Sequence, residues 1–169
     1  LHGAERKPRS RGALVRDFVM GESQPQSYAN WIASNAHEYS GFHLFAGEAG
    51  GELVYVTPET HRVAEDGIHA VSNAPAGESW PKVTAAAEEM KLALRMPDPE
   101  SVILVLMQFL EQSRGTESVQ SEVFLKGERY GTRASTVVVA TGTEILFGEQ
   151  SFMRGGEKYG KNRLFRVMR

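Results

Sequence analysis

The feature that most constrains this chain is the β-branched run Ser135-Thr136-Val137-Val138-Val139-Ala140-Thr141. Such side chains are stiff at χ1 and favour an extended backbone. Gly142 turns the run directly into Glu144-Ile145-Leu146-Phe147, a hairpin pattern. Two earlier runs, Phe42 to Ala46 and Leu53 to Val56, flank Gly50-Gly51 and read as a second hairpin. Gly67 opens a further expected strand, Ile68 to Asn73, which Ala74-Pro75 ends. A last strand is expected at Arg163 to Met168, after a glycine-rich loop from Gly155 to Gly160. Both alternating faces of the earlier strands are largely apolar. Both therefore need cover, which predicts a layered fold rather than a sheet with one wet side.

Helical spacing fills the gaps. Ser10 is a suitable N-cap for a helix to Met20, with Leu14 and Phe18 on one face and Gly21 at the C′ position. Ser23 and Pro25 start a second helix whose expected buried stripe is Tyr28, Trp31 and Ile32. Ser79 and Pro81 start a third, to about Leu94, with Val83, Ala87, Met90 and Leu94 in register. Asp98-Pro99-Glu100 supplies an N-cap, an N1 proline and a first-turn acid. It therefore makes Val102 to Leu110 a buried helix although the run could pass for a strand. The segment from Gln112 to Arg129 is polar and reads mostly as loop. This order predicts an α+β domain over residues 10–169, preceded by a basic arm over residues 1–9.

Composition narrows the function classes. The 169 residues include no cysteine, which excludes a disulfide framework, a cysteine-ligated zinc and a cysteine nucleophile within these residues. Nineteen basic against 21 acidic residues leave a net charge of −2, so no global pull toward nucleic acid is expected. The basic ends, Arg6 to Arg16 and Arg154 to Arg169, read as solvated, and no aromatic interleaves the first. The longest apolar run, Val102 to Met107, is far short of the roughly 20 residues that span a bilayer. No signal-peptide pattern is present, and a cytoplasmic location is expected.

Few local patterns suggest chemistry. Gly155-Gly156-Glu157-Lys158-Tyr159-Gly160-Lys161 nearly spells a phosphate-binding loop. Asn162 stands where the magnesium-holding Ser or Thr belongs, however, and a strand pattern follows instead of a helix, so it reads as a hairpin loop. No histidine pair has metal-ligand spacing; His43 and His69, both expected within strands, are open to a ligand role or to an ordinary core hydrogen bond. Asn73 follows Ser72 at a strand end, where its amide could donate to an oxyanion or bond its own turn. Arg133, after Tyr130-Gly131-Thr132, enters the strongest strand. It should pair with a carboxylate or point into a functional pocket.

The segments SRGALVRDF, YSGFHLFAGE, GIHAVSNAPAGESWPKV and YGTRASTVVV occur in the order and spacing of the NRDE-motif family, which includes transport and Golgi organization protein 2. From about Ser10 onward the chain resembles that family. The resemblance implies a four-layer αββα sandwich like that of N-terminal-nucleophile hydrolases. It also implies a cysteine-type amide (C–N) hydrolase, in which the α-amine, with a reference pKa of about 8, acts as base. On that analogy Asn73 is the oxyanion donor and Arg133 lies near the nucleophile. Ser72, His69, Tyr130 and Thr132 would be ligand-binding neighbours. The family's opening Met-Cys and its Asn-Arg-Asp-Glu motif are absent here. The chain thus reads as the C-terminal portion of a longer protein, incomplete at the N-terminal side of the sandwich and without turnover as it stands. The alternative implied by the family is a non-catalytic binding or trafficking protein for haem or acyl-lipid ligands. Haem would then be a ligand, not a resident cofactor.

Overall fold

A computed structural model describes residues 7–74, 78–113, 115 and 118–169. The chain forms two compact units, Leu1–Gly67 and Ile68–Arg169. Each contains a three-stranded antiparallel sheet with helices packed on it, so the chain is α+β.

The first unit begins with α1 (Arg11–Met20) and α2 (Pro25–Asn35). Ser10 caps α1 as expected, its hydroxyl accepting from Gly12 N–H at 3.3 Å. Gly21 is extended rather than left-handed; it is glycine because a Cβ there would meet Asp17 O at 2.7 Å. Gln24, not Ser23, occupies the N-cap of α2, because Pro25 takes the first helical position. Trp31 departs from the expected stripe and is 38 % exposed, while Ala29 joins Tyr28 and Ile32 inside. A short 3-10 turn (Ala36–Glu38) leads to β1 (Leu44–Gly47), β2 (Leu53–Val56) and β3 (His61–Val63). Leu14, Tyr28, Ile32, Tyr39, Val54 and Val56 make the core. The described end of the N-terminal arm is held to this unit: Arg9 pairs with Glu38 at 3.1 Å and lies over the Trp31 and Tyr39 rings.

The third strand is not the one expected. Residues 68–73 form no strand; β3 comes from His61–Val63, with Val54 opposite Val63 and Val56 opposite His61. The cause is a tight turn. Thr57 N–H donates to Thr60 O at 2.8 Å, and Thr57 Oγ1 accepts from Glu59 and Thr60 N–H. The chain is thereby reversed at once, and residue 61 is set beside β2. His43 lies just before β1, and His69 lies in the extended segment, so neither is within a strand.

The second unit begins with α3 (Pro81–Ala93) and α4 (Pro99–Leu110). Asp98 caps α4 as expected, its carboxylate accepting from Ser101 N–H at 2.8 Å. On α3 the buried position is Ala93 rather than Leu94, which caps the helix and is 63 % exposed. The sheet follows as β4 (Ala134–Ala140), β5 (Glu144–Phe152) and β6 (Lys158–Met168). A 3-10 turn (Arg154–Gly156) joins β5 to β6. The glycine-rich segment therefore leads into a strand, as its reading as a hairpin loop requires. The last strand starts five residues earlier than expected because Gly160, at φ +70°, sits inside it opposite a register shift between Glu149 and Ser151.

Ile103, Leu106 and Met107 of α4 pack on Val137 and Leu146. Val138, Phe165 and Val167, on the opposite face, are each more than half exposed, and every residue of β6 is exposed. Within this unit the helices thus cover one side of the sheet.

Tyr28 gives the first unit a measurable marker. Its hydroxyl donates to Leu14 O at 2.7 Å inside the core, and burial, aided by Asp17, pushes its pKa from 10.0 up to about 12. The folded phenol stays protonated where the unfolded one ionises. Its contribution is therefore intact below pH about 10 and is lost between about 10 and 12. Ultraviolet titration should show a tyrosine ionising near pH 12 that is lost in Tyr28→Phe, and urea unfolding of that variant should show a loss of about 1 kcal/mol.

Candidate functional site

Two hollows of the second unit hold most of the residues singled out above. The first, of about 240 Å³, is walled by Val71, Val83, Ala86 and Val123. Ser72, Asn73 and Lys82 line it with them. Ser72 Oγ accepts from Ala74 N–H at 3.3 Å, so the local turn bond is made by the serine. Asn73 is exposed, and its amide has no hydrogen-bond partner among the described residues.

Lys82 is the functional candidate that the pattern reading passed over. Pro81 opens α3, which places Lys82 in the first turn. Its N–H donates to Gln120 O at 3.2 Å and its Nζ to Val119 O at 3.0 Å. The Nζ also lies 4.9 Å from the centroid of the Trp80 ring. Trp80 Nε1 itself is buried without a partner among the described residues. Burial lowers the Lys82 pKa. An ammonium has three N–H donors, and the backbone carbonyl takes one of these. The sequence signal was present, a lysine directly after a helix-opening proline, but a lone lysine carries no spacing that marks it.

The second hollow, of about 190 Å³, is lined by Tyr130, Thr132 and Arg133 together with Arg129 and Arg154. Arg133 is exposed and has no acid partner among the described residues. Of the two roles its position allowed, it faces a hollow rather than forming a structural ion pair. The two hollows share no lining residue, so the structure groups Ser72 with Asn73, and Tyr130 and Thr132 with Arg133. His69 is exposed and lines neither. His43 belongs to the first unit, where its Nδ1 lies 2.5 Å from the Tyr55 hydroxyl and the rings stack at 6.0 Å. Among the described residues no group of three or more histidines and carboxylates is placed to hold a metal ion. None of the helices there is long and apolar enough to cross a membrane.

The family model described as Transport and Golgi organisation 2 matches residues 2–153. The chain belongs to that family. It is 25 % identical over 177 residues to the bovine (Bos taurus) Transport and Golgi organization protein 2 homolog. The match covers 88 % of the chain but 64 % of the relative, so the chain spans less than two thirds of that relative's length. No solved structure matches it. Asn73, Lys82 and Arg133 fall within the family match; the whole of β6 lies beyond it.

The desolvated ammonium of Lys82 can be observed directly. An Nζ titration followed by NMR should give Lys82 a midpoint below the ordinary lysine value of 10.5. A midpoint at or above that value would contradict the burial described here.

Proposed function

We propose that the hollow of Ser72, Asn73 and Lys82 binds a small acyl ligand, with an apolar chain and a carboxylate or amide head. The observation that carries this reading is the lining. Five small aliphatic residues, Ala70, Val71, Val83, Ala86 and Val123, share one hollow with Lys82 and with Asn73, whose carboxamide has no partner among the described residues. Aliphatic walls favour the chain, and the remaining donors of Lys82 and Asn73 suit the head. A charge partly removed from water attracts a carboxylate more strongly than an exposed one does. The volume is below the roughly 300–1,000 Å³ of a pocket that encloses a drug-sized molecule. It suits the head and first part of the chain. On this reading the protein is a binding member of its family, handling an acyl ligand without turnover.

A second reading rests on Asn73 alone. In a longer family protein with an N-terminal cysteine, this amide would stabilise the oxyanion formed when the cysteine attacks a C–N bond. Arg133 would then lie near the nucleophile, and the fold would be the four-layer αββα sandwich. The α+β content and the antiparallel sheets support that fold. A haem-binding variant of the first reading would use the exposed residue His69 as the iron ligand.

Calorimetry with decanoate and decanamide tests the first reading. Lys82→Met should weaken decanoate about tenfold or more, a change of about 1.4 kcal/mol, and leave decanamide nearly unchanged. Asn73→Ala should weaken both. Unchanged decanoate affinity in Lys82→Met would overturn the proposal. A Soret shift with haem that is lost in His69→Ala would favour the haem variant. For the hydrolase reading, Asn73→Ala in a cysteine-bearing family protein should lower kcat on acyl amides by about 10²–10³; equal rates with and without the cysteine would sink it.

A further inference from the structure

The second hollow has a character of its own. The loop before β4 closes on itself: Thr132 N–H donates to Leu125 O at 2.9 Å, and Leu125 N–H donates to Thr132 Oγ1 at 3.0 Å. The turn after β5 packs against this loop so tightly that a Cβ on Gly156 would lie 2.9 Å from Phe124 Cε1 and Lys126 Cγ. Below both, Phe124 and Phe152 meet edge to face at 4.6 Å, each 2 % exposed. Arg133 is anchored at the start of β4, its carbonyl accepting from Phe152 N–H at 2.8 Å. The frame is therefore held by a buried aromatic pair and reciprocal backbone bonds, which limits what a ligand must order on binding.

Three arginines from three points of this frame, Arg129, Arg133 and Arg154, line the hollow. Glu128 is the one carboxylate in the lining, so these groups carry a net charge of two positive. None of the three arginines has an acid partner among the described residues, whereas Arg166 of β6 is paired with both Glu100 and Glu144. Like charges gathered without counter-ions repel, and an anion in the hollow would relieve that repulsion. The Thr132 hydroxyl accepts from Leu125, which leaves its own proton available to donate.

We infer that this hollow binds the phosphate or pyrophosphate group of a small molecule. A phosphate carries about −1.5 to −2 charge at pH 7 and offers three acceptor oxygens, which matches the net charge and the number of guanidiniums. A carboxylate has only two oxygens and one charge. The planar guanidinium fork addresses such oxygens in pairs. At about 190 Å³ the hollow takes the anionic group rather than a whole drug-sized ligand. It shares no residue with the acyl hollow, so this inference stands apart from the function proposed above.

Calorimetry of the chain with inorganic pyrophosphate, a nucleoside diphosphate and malonate provides the test. Arg129→Ala, Arg133→Ala and Arg154→Ala replace exposed side chains, and each should weaken pyrophosphate by about tenfold or more. Arg163→Ala, an exposed arginine of β6 outside the hollow, should leave it unchanged. Either order of affinity between pyrophosphate and the nucleoside diphosphate supports the site and tells a free anion from a phosphate ester. The inference is overturned by no pyrophosphate binding at millimolar concentration, by malonate binding as tightly, by equal weakening in Arg163→Ala, or by binding of single-stranded oligonucleotide without pyrophosphate.

Discussion

The seating of α4 on β4 and β5 is the packing on which the second unit depends. Ile103 Cγ2 comes so close to β5 that a Cβ on Gly148 would stand 2.9 Å from it. Glycine is required there by proximity, not by backbone conformation. Around that point Leu106, Met107, Val137 and Leu146 exclude water, and burial of this kind contributes about 1.5–3 kcal/mol per large aliphatic side chain. Both hollows hang from this seat. Ala93, fully buried, ties α3 to the same cluster and so carries Lys82. The start of β4 carries Arg133.

The two hollows divide the polar chemistry of the unit in a physically sensible way. One sets a single, partly dehydrated ammonium among aliphatic walls; the other gathers several hydrated guanidiniums on a rigid turn. An ammonium tolerates partial burial by shifting its pKa, whereas guanidiniums keep their charge and are held where solvent reaches them. Surface ion pairs elsewhere, such as Arg16 with Asp17 and Lys91 with Glu88, lie in exposed positions where such contacts contribute little to stability.

Much of the fold is legible in the residues. Asp98-Pro99-Glu100 decides for a helix a run that hydrophobicity alone leaves ambiguous, because capping is local chemistry and needs no tertiary partner. The Val137 to Val139 run and Gly142 place the β4–β5 hairpin for the same reason. Residues 68–73 mislead because their composition suits an extended chain, while strand membership requires a neighbour to bond. The Thr57 hydroxyl gives that neighbour position to residues 61–63 instead. Asn73 and Arg133 are singled out by their settings at an expected strand end and an expected strand entry. Their separation into different hollows is a tertiary outcome that no spacing along the chain encodes. Lys82 is missed because its distinction comes from Trp80 and Val119, and the latter lies 37 residues away.

The outer face of the second sheet has a further consequence. Rungs such as Val138–Phe147–Phe165 and Ala140–Ile145–Val167 run across it, and β6 forms the open margin of the sheet. A long, exposed border with apolar residues of this kind is a template for pairing with another chain. Lys161, Arg163 and Arg166 punctuate β6 at short intervals, and the left-handed Gly160 bends its first residues. The basic tail of the chain thus acts as a set of gatekeepers. Neutralising it would turn an ordered margin into a nucleus for aggregation.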